Sequence, residues 1–279
     1  MYSLIVENKY GNQLELTHNP AYVVTEIDGL DPPDAVINAT KNAVSDGSVF
    51  NSSYLDNRTI TITLSINGPA EENRLNLYKY FKTKQFLRLY YENDSRSVYI
   101  DGYVKSLQVA YFDIKQVAQI VIVCPKPYFL DTTDDITEFS SVIKSFEFPF
   151  SISTPIPFSD VVPLEDRSVI NDSDVEVGAI ITIKANGTVL NPVIVNTDTG
   201  EYFGVNIGMA ALDEIVINTK IGEKSVTSDN GLNNLIGFVQ EGSTWFQLTP
   251  GDNVYSISAD SGAEYLEVVF EITAQYEGV

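Results

Sequence analysis

Cysteine, histidine and tryptophan each occur only once in this chain of 279 residues. Cys124 has no disulfide partner within the chain, and its place in an apolar strand predicts a buried structural thiol. His18 alone cannot build a histidine-based metal site, and no Gly-x-Ser-x-Gly motif accompanies it for a serine hydrolase. Apolar runs stay below the roughly 20 residues of a membrane span, and the first residues do not resemble a signal peptide. We therefore expect a protein made in a cytoplasm, without a membrane segment.

Basic residues are also scarce, since 17 Lys and Arg face 38 Asp and Glu for a net charge of −21. The excess is uneven: there are 12 basic and 14 acidic side chains through Leu130, but 5 and 24 beyond it. The balanced first part can pack against copies of itself or against other proteins. The acidic second part would repel nucleic acid, and we expect it to face solvent.

The acidic residues do not form a recognisable catalytic or metal-binding motif. A glycosidase needs two carboxylates about 5 to 10 Å apart across a cleft, whereas the adjacent acidic pairs here are expected to point apart into water: Asp134/Asp135, Glu165/Asp166 and Asp213/Glu214. Asp172-Ser173-Asp174 starts like a calcium loop, but Val177 and Ile183 stand where an EF-hand needs Gly and Glu. A Gly-rich phosphate loop is missing as well. We predict no enzyme, no metal and no cofactor.

The first half has the pattern of a β domain with one helix. Arg58–Gly68 alternates, with Ile60, Ile62, Leu64 and Ile66 on one face. Pro69 suits the first turn of a helix, which the spacing of Leu75, Leu77, Tyr78 and Phe81 extends through Phe81. Further strands are predicted at Phe86–Tyr91, Val98–Asp101, Tyr103–Phe112 and Val117–Cys124, before Pro125-Lys126-Pro127-Tyr128-Phe129 ends the run.

Two strand–turn–strand patterns mark the second half. Asn191–Asn196 leads through the turn Thr197–Glu201 into Tyr202–Asn206. Trp245-Phe246-Gln247-Leu248 precedes Thr249-Pro250-Gly251-Asp252-Asn253, whose residues favour a turn. Eight strands predict a two-sheet sandwich: Ala179–Lys184, Pro192–Asn196, Tyr202–Asn206, Glu214–Asn218, Ser225–Ser228, Thr244–Leu248, Asn253–Ala259 and Tyr265–Gln275.

Composition changes between the two halves. Strand alternation gives way at Asp131–Asp135, and residues up to 177 contain several prolines and aromatics without a helical period. This segment is a flexible linker or an extended arm, and Phe146, Phe148 and Phe150 favour an arm because a solvated linker would leave them exposed. We predict a domain at 1–130, an arm at 131–177 and a domain at 178–279.

The two patterns of the second half, the strand–helix–meander order of the first and the Pro-Tyr-Phe end together resemble the distal tail proteins of long-tailed, non-contractile phages. The resemblance implies a mainly β protein with two domains: an N-terminal β-sandwich or barrel-like domain with one α-helix, and a C-terminal galectin-like β-sandwich. It implies a hexameric ring formed by the N-terminal domains. In this family the segment equivalent to 131–177 wraps between ring subunits and domains.

The same resemblance implies partners and a location. The ring would join the major tail or tail terminator protein to the tail-associated fibre or lysin protein, and the C-terminal domains would carry receptor-binding proteins. Such a protein is made in the bacterial host cytoplasm and is located at the virion tail tip. It recognises no nucleic acid and contacts no membrane.

Trp245 leaves an alternative function open. An aromatic ring on a galectin-like sandwich could stack on a saccharide, which would make the chain a host-surface carbohydrate-binding module. Its place in a strand beside Phe246 favours core packing instead. A galectin-type site also needs clustered His, Arg and Asn, yet the cations beyond Lys144 are only Arg167, Lys184, Lys220 and Lys224. The candidate interaction residues are therefore Phe146, Phe148, Phe150 and Trp245.

Overall fold

The structure is a computed structural model that describes residues 2–42, 46–112, 115–140, 142–144, 159–161, 166–228 and 233–279. The chain forms two compact units, one of residues 1–132 with 275–279 and one of residues 133–274. It is mainly β with one α-helix among the described residues, as the sequence predicts. The three-part division at 130 and 177 stays a prediction.

The elements of the first unit are, in chain order, β1 (Ser3–Asn8), β2 (Gln13–Glu15), β3 (Tyr22–Asp28), β4 (Ala35–Lys41), β5 (Ser48–Leu55), β6 (Arg58–Ile66), α1 (Ala70–Tyr80), β7 (Phe86–Glu92), β8 (Ser97–Val109), β9 (Gln116–Cys124) and the start of β10 (Phe129–Ser140). The elements that follow are β11 (Val142–Lys144), β12 (Ser159–Val161), β13 (Arg167–Asn171), β14 (Ile180–Ala185), β15 (Val189–Asn196), β16 (Tyr202–Gly204), β17 (Gly208–Met209), β18 (Glu214–Asn218), β19 (Ser225–Ser228), β20 (Asn233–Asn234), β21 (Gly251–Ser261) and β22 (Leu266–Tyr276).

An antiparallel sheet forms the body of the first unit. Its strand order is β2-β1-β7-β8-β9-β6-β3, and β10 also pairs with β8. The alternation of β6 is realised: Ile60, Ile62, Leu64 and Ile66 are buried, while the intervening hydroxyl residues point the other way. The prediction for β6 is confirmed. Residues at every second position of a strand point to the same face, so these four apolar side chains are buried together.

Helix α1 packs on this sheet through few residues. Leu77 is fully buried, and Phe81, which caps the helix, is 2% exposed. Leu75 is 49% exposed, so it does not belong to the core face as the spacing suggested. Glu71 in the first turn and Lys79 in the last complement the helix dipole.

Two sheets enclose the core of the second unit. One contains the ladder β22-β14-β18-β19-β20, and the other has the order β13-β21-β15-β16, with β17 pairing to β15. The ring of Tyr255 of β21 packs at a tilt against Phe246 and against Phe270 of β22, with ring centres 5.2 and 5.0 Å apart. Phe139 of β10 adds a further ring at 5.3 Å from Phe270. Aromatic packing therefore contributes much of this core.

Three strand predictions are wrong. Val98–Asp101 and Tyr103–Phe112 are parts of one strand, Ser97–Val109, because Gly102 continues the ladder opposite Leu87. Strand structure does not end at Asp131, since β10 continues to Ser140. Thr244–Leu248 is not a strand. Its ends bond to different neighbours, with the Thr244 N–H donating to Tyr202 and Leu248 pairing with Val177, so no continuous ladder forms.

Candidate functional site

Strands β4 and β5 form an exposed hairpin that, like β1 to β3, was not predicted from the sequence. They pair antiparallel from Ala35 with Leu55 to Lys41 with Ser48, with a bulge at Asn51. Two side-chain hydrogen bonds brace the ladder: Asn38 Nδ2 donates to Ser52 Oγ at 3.1 Å, and Asn51 Nδ2 donates to Thr40 Oγ1 at 2.7 Å. Nearly every residue of both strands is exposed. This exposed hairpin has no core of its own.

Large apolar side chains lie on both faces of the exposed hairpin. The register places Ile37 and Phe50 on one face, and Val49 and Tyr54 on the other. All four are more than half exposed to solvent. Contiguous exposed apolar groups of this kind mark surfaces that bind other proteins. The only signal in the sequence was the pair of short runs around Val36-Ile37 and Val49-Phe50, which Asn and Ser residues obscure.

The outward face of β1, β7 and β8 carries a cluster of tyrosine and arginine. Arg88 donates from Nε and Nη2 to the two carboxylate oxygens of Asp101 at 2.6 and 2.9 Å, and its guanidinium lies 4.1 Å from the ring centre of Tyr99. Hydrogen bonds to Asp101 raise the pKa of Arg88, which stays charged. The Tyr90 hydroxyl donates to Glu7 at 3.2 Å. Tyrosine and arginine are the residues enriched at protein interfaces.

Trp245 lies partly buried against the core of the second unit. Its ring meets Phe203 edge to face at 4.8 Å, and the Lys224 ammonium lies 5.8 Å from the ring centre. The neighbouring Gln247 donates from Nε2 to the Thr219 carbonyl at 2.9 Å. Trp245 thus combines core contacts with a solvent-facing part, and its role in binding stays a prediction.

A cleft of about 340 Å³ opens beside Trp245. Its walls include Glu176, Asp198, Thr199 and Glu201. Asp198 Oδ2 accepts a hydrogen bond from the Val254 N–H at 3.0 Å, so this carboxylate is held in place. The cleft offers carboxylate oxygens, which can accept hydrogen bonds from sugar hydroxyls, beside an aromatic ring on which a sugar can stack.

Phe146, Phe148 and Phe150 lie outside the described residues. His18 is half exposed on a turn, where Nδ1 lies 2.7 Å from Glu15 Oε1. Within the described ranges, no three His, Cys, Asp or Glu side chains gather as a metal site. Nor does any described helix have the length and apolar character needed to cross a membrane.

Two family profiles match this chain. The phage tail protein RIFT-related domain matches residues 9–140, a range that contains the exposed hairpin. The C-terminal domain of the siphovirus-type tail component matches residues 172–273, which contain Trp245 and its cleft. The chain belongs to the siphovirus distal tail protein family. None of the curated proteins is similar enough to the chain to count as a match.

Solved structures share the distal tail fold at low identity. The Dit protein of phage SPP1, called a paradigm of the hub adsorption apparatus in phages infecting Gram-positive bacteria, is 12% identical with a TM-score of 0.71, over 98% of this chain and 99% of that one. Chains of the phage P2 baseplate, in its activated conformation with calcium or strontium, are 13% and 12% identical, with TM-scores of 0.54 and 0.53 over the full length of both chains.

Membership of the distal tail family gives the chain a structural role in the phage tail. The family locates it in the virion tail. Structural proteins of a tail act by contact with their neighbours, so their functional surfaces are interfaces. The exposed hairpin is the described surface of this distal tail protein with the clearest interface character.

Proposed function

We propose that the chain forms a hexameric ring through its first unit and that the ring joins the tail tube to the tail tip. The exposed hairpin carries this proposal. A two-stranded hairpin is at best marginally stable alone in water, and this one exposes Ile37, Val49, Phe50 and Tyr54. Burying one such side chain contributes roughly 1.5 to 3 kcal/mol. A neighbouring copy that covers one face would therefore stabilise both the hairpin and the ring.

The charge distribution supports the same arrangement. Repeated copies close a ring through heterologous interfaces, in which one surface of each copy meets a different surface of the next. Such contacts form with less repulsion between residues 1–130 than between the acidic residues beyond. The ring faces would bind the major tail or tail terminator protein on one side and the fibre or lysin protein on the other. The second unit would hold receptor-binding proteins.

The ring is tested by removing the apolar face of the exposed hairpin. We expect the double variant Ile37→Ser with Phe50→Ser to lose assembly, measured as molar mass by light scattering over a range of concentrations. The matched control is Leu212→Ser with Ile221→Ser, which removes two exposed apolar side chains from turns of the second unit. Its mass should equal that of the unchanged chain.

Two results would contradict this role for the exposed hairpin. In the first, both double variants assemble equally well. In the second, the control loses assembly and the hairpin variant keeps it, which would place the interface in the second unit. If the unchanged chain is a monomer alone, the same comparison is made with the tail tube protein added, since ring closure can need a template.

Binding of host-surface carbohydrate is the second candidate function. The cleft beside Trp245 favours it, because an aromatic ring lies next to Glu176 and Glu201 in an open depression. The chain has a single tryptophan, so its emission reports directly on this cleft. Titration with purified host cell-wall saccharide tests the idea: a saturable change in emission supports a carbohydrate site, and an unchanged spectrum at high saccharide concentration excludes it.

A further inference from the structure

Arg58 is a buried cation whose hydrogen bonds go entirely to backbone carbonyls in the described structure. It is 3% exposed. Its Nε donates to Pro127 at 2.7 Å, and Nη1 donates to Gly29 at 2.7 Å and to Asp31 at 2.8 Å. Its Nη2 donates to the carbonyl of Glu277. One side chain therefore joins its own strand to three other segments of the first unit, around residues 29–31, 127 and 277.

These segments include the chain on both sides of the exposed hairpin, before β4 and after β5. Gly29 and Asp31 precede β4, and Arg58 follows β5. Gly29 has a φ of +92°, and a Cβ at this position would lie only 2.3 Å from the Thr59 carbonyl oxygen. The chain that enters the exposed hairpin therefore lies directly against the chain that leaves it. Arg58 fixes the distance between them.

The segment around Glu277 is residues 275–279, which belong to the first unit and are called here the return segment. Arg96 donates to the Gly278 carbonyl at 2.5 Å, and the Val279 N–H donates to the Leu30 carbonyl at 3.2 Å. A Cβ at Gly278 would lie 2.9 Å from Pro32 Cδ. The return segment is thus seated closely on the loop that leads into the exposed hairpin.

We propose that Arg58 and the return segment form a clasp that fixes the direction in which the exposed hairpin leaves the first unit. A buried guanidinium is stable only while its N–H groups are paired. When the return segment is lifted, Nη2 loses the Glu277 carbonyl and the site opens to water, so the bonds to Gly29 and Asp31 weaken too. Arg58 is then a positioning residue for ring assembly. This inference rests on the proposed role of the hairpin.

The test measures the direction of the exposed hairpin inside one molecule. Spin labels are placed at Ser53→Cys in the hairpin and Gln119→Cys in β9, while the native Cys124 is fully buried. Labelled chains are diluted with unlabelled chains, so the measured distance is intramolecular. We expect one narrow distance distribution for the unchanged background. Gly278→Val should lose this narrow distribution, because the new side chain collides with Pro32. Arg58→Lys should lose it too, because a lysine cannot donate hydrogen bonds to four carbonyls.

The matched control is Gly237→Val, because a Cβ at Gly237 meets nothing within 4 Å. Its distance distribution should remain narrow. A narrow, unshifted distribution in Gly278→Val would overturn the clasp, and this variant decides the matter even if Arg58→Lys fails to fold. Ring assembly is measured separately by light scattering. If the variants lose the narrow distance while even the unchanged chain never assembles with the tail tube protein added, the clasp is supported and the ring is contradicted, so the two proposals fail independently.

Discussion

Asn253 encloses the backbone of Thr249 with both ends of its side-chain amide. Oδ1 accepts from the Thr249 N–H at 2.9 Å and from Thr249 Oγ1 at 3.1 Å, while Nδ2 donates to the Thr249 carbonyl at 2.8 Å and to the Gly251 carbonyl at 3.0 Å. Asn253 is 3% exposed. A single buried side chain therefore holds the turn around Pro250.

Asn253→Ala should destabilise the second unit by about 2 to 4 kcal/mol, because it leaves several partly buried backbone groups without partners. Denaturant unfolding followed by the emission of the single tryptophan measures this change where it occurs. The exposed Asn206→Ala is the control, with an expected effect within about 0.5 kcal/mol. Equal denaturation midpoints for the two variants would show that the hydrogen bonds of Asn253 make no net contribution to stability.

Cys124 should resist alkylation until the first unit unfolds. Burial raises the pKa of its thiol to about 12, so almost no thiolate exists near neutral pH. The folded state keeps this proton at a pH where the unfolded state has lost it. Titration of the thiol therefore leaves the stability of the folded chain unchanged below about pH 9. As pH rises from there towards 12, the unfolded state loses the proton first and the folded chain becomes less stable. Iodoacetamide labelling at pH 8, with and without denaturant, checks the reactivity, and rapid labelling of the folded chain would contradict it.

The aromatic residues of the connecting segment give a prediction that the sequence alone supports. Replacing Phe146, Phe148 and Phe150 with Ser should weaken ring assembly or domain docking, since burial of each ring contributes roughly 1.5 to 3 kcal/mol. Light scattering and thermal unfolding of the full chain measure the two effects. Unchanged values in both would show that this segment is a simple linker.

The fold was predictable where apolar and polar residues alternate along a single strand. The isoleucines of β6 and the apolar positions of β22 specify both the strand and its buried face, because a strand repeats every two residues. Thr244–Leu248 has the same local appearance but forms no ladder. Its backbone finds partners in Tyr202 and Val177, far apart in sequence, and that choice of partner is invisible to local propensity.

The candidate interface was harder to predict than the fold. Strands β4 and β5 bury almost nothing in this chain, so they lack the alternation that burial imposes. Arg58 is the first residue of β6, and nothing in the sequence indicated more than that role. Its clasp depends on carbonyls around residues 29, 127 and 277, and only the folded chain brings these together.

Trp245 provides the measurement that distinguishes the hub from the carbohydrate-binding module. Its ring packs against Phe203 at 4.8 Å in the partly buried rim of the core. Trp245→Ala should therefore destabilise the second unit by about 2 to 4 kcal/mol, somewhat less than for a fully buried ring. Trp245→Phe keeps an aromatic contact with Phe203 and should lose much less. Thermal unfolding followed by circular dichroism gives both values. If Trp245→Ala keeps the melting temperature of the unchanged chain but abolishes saccharide binding, the ring is a stacking platform and the carbohydrate function takes precedence over the packing role.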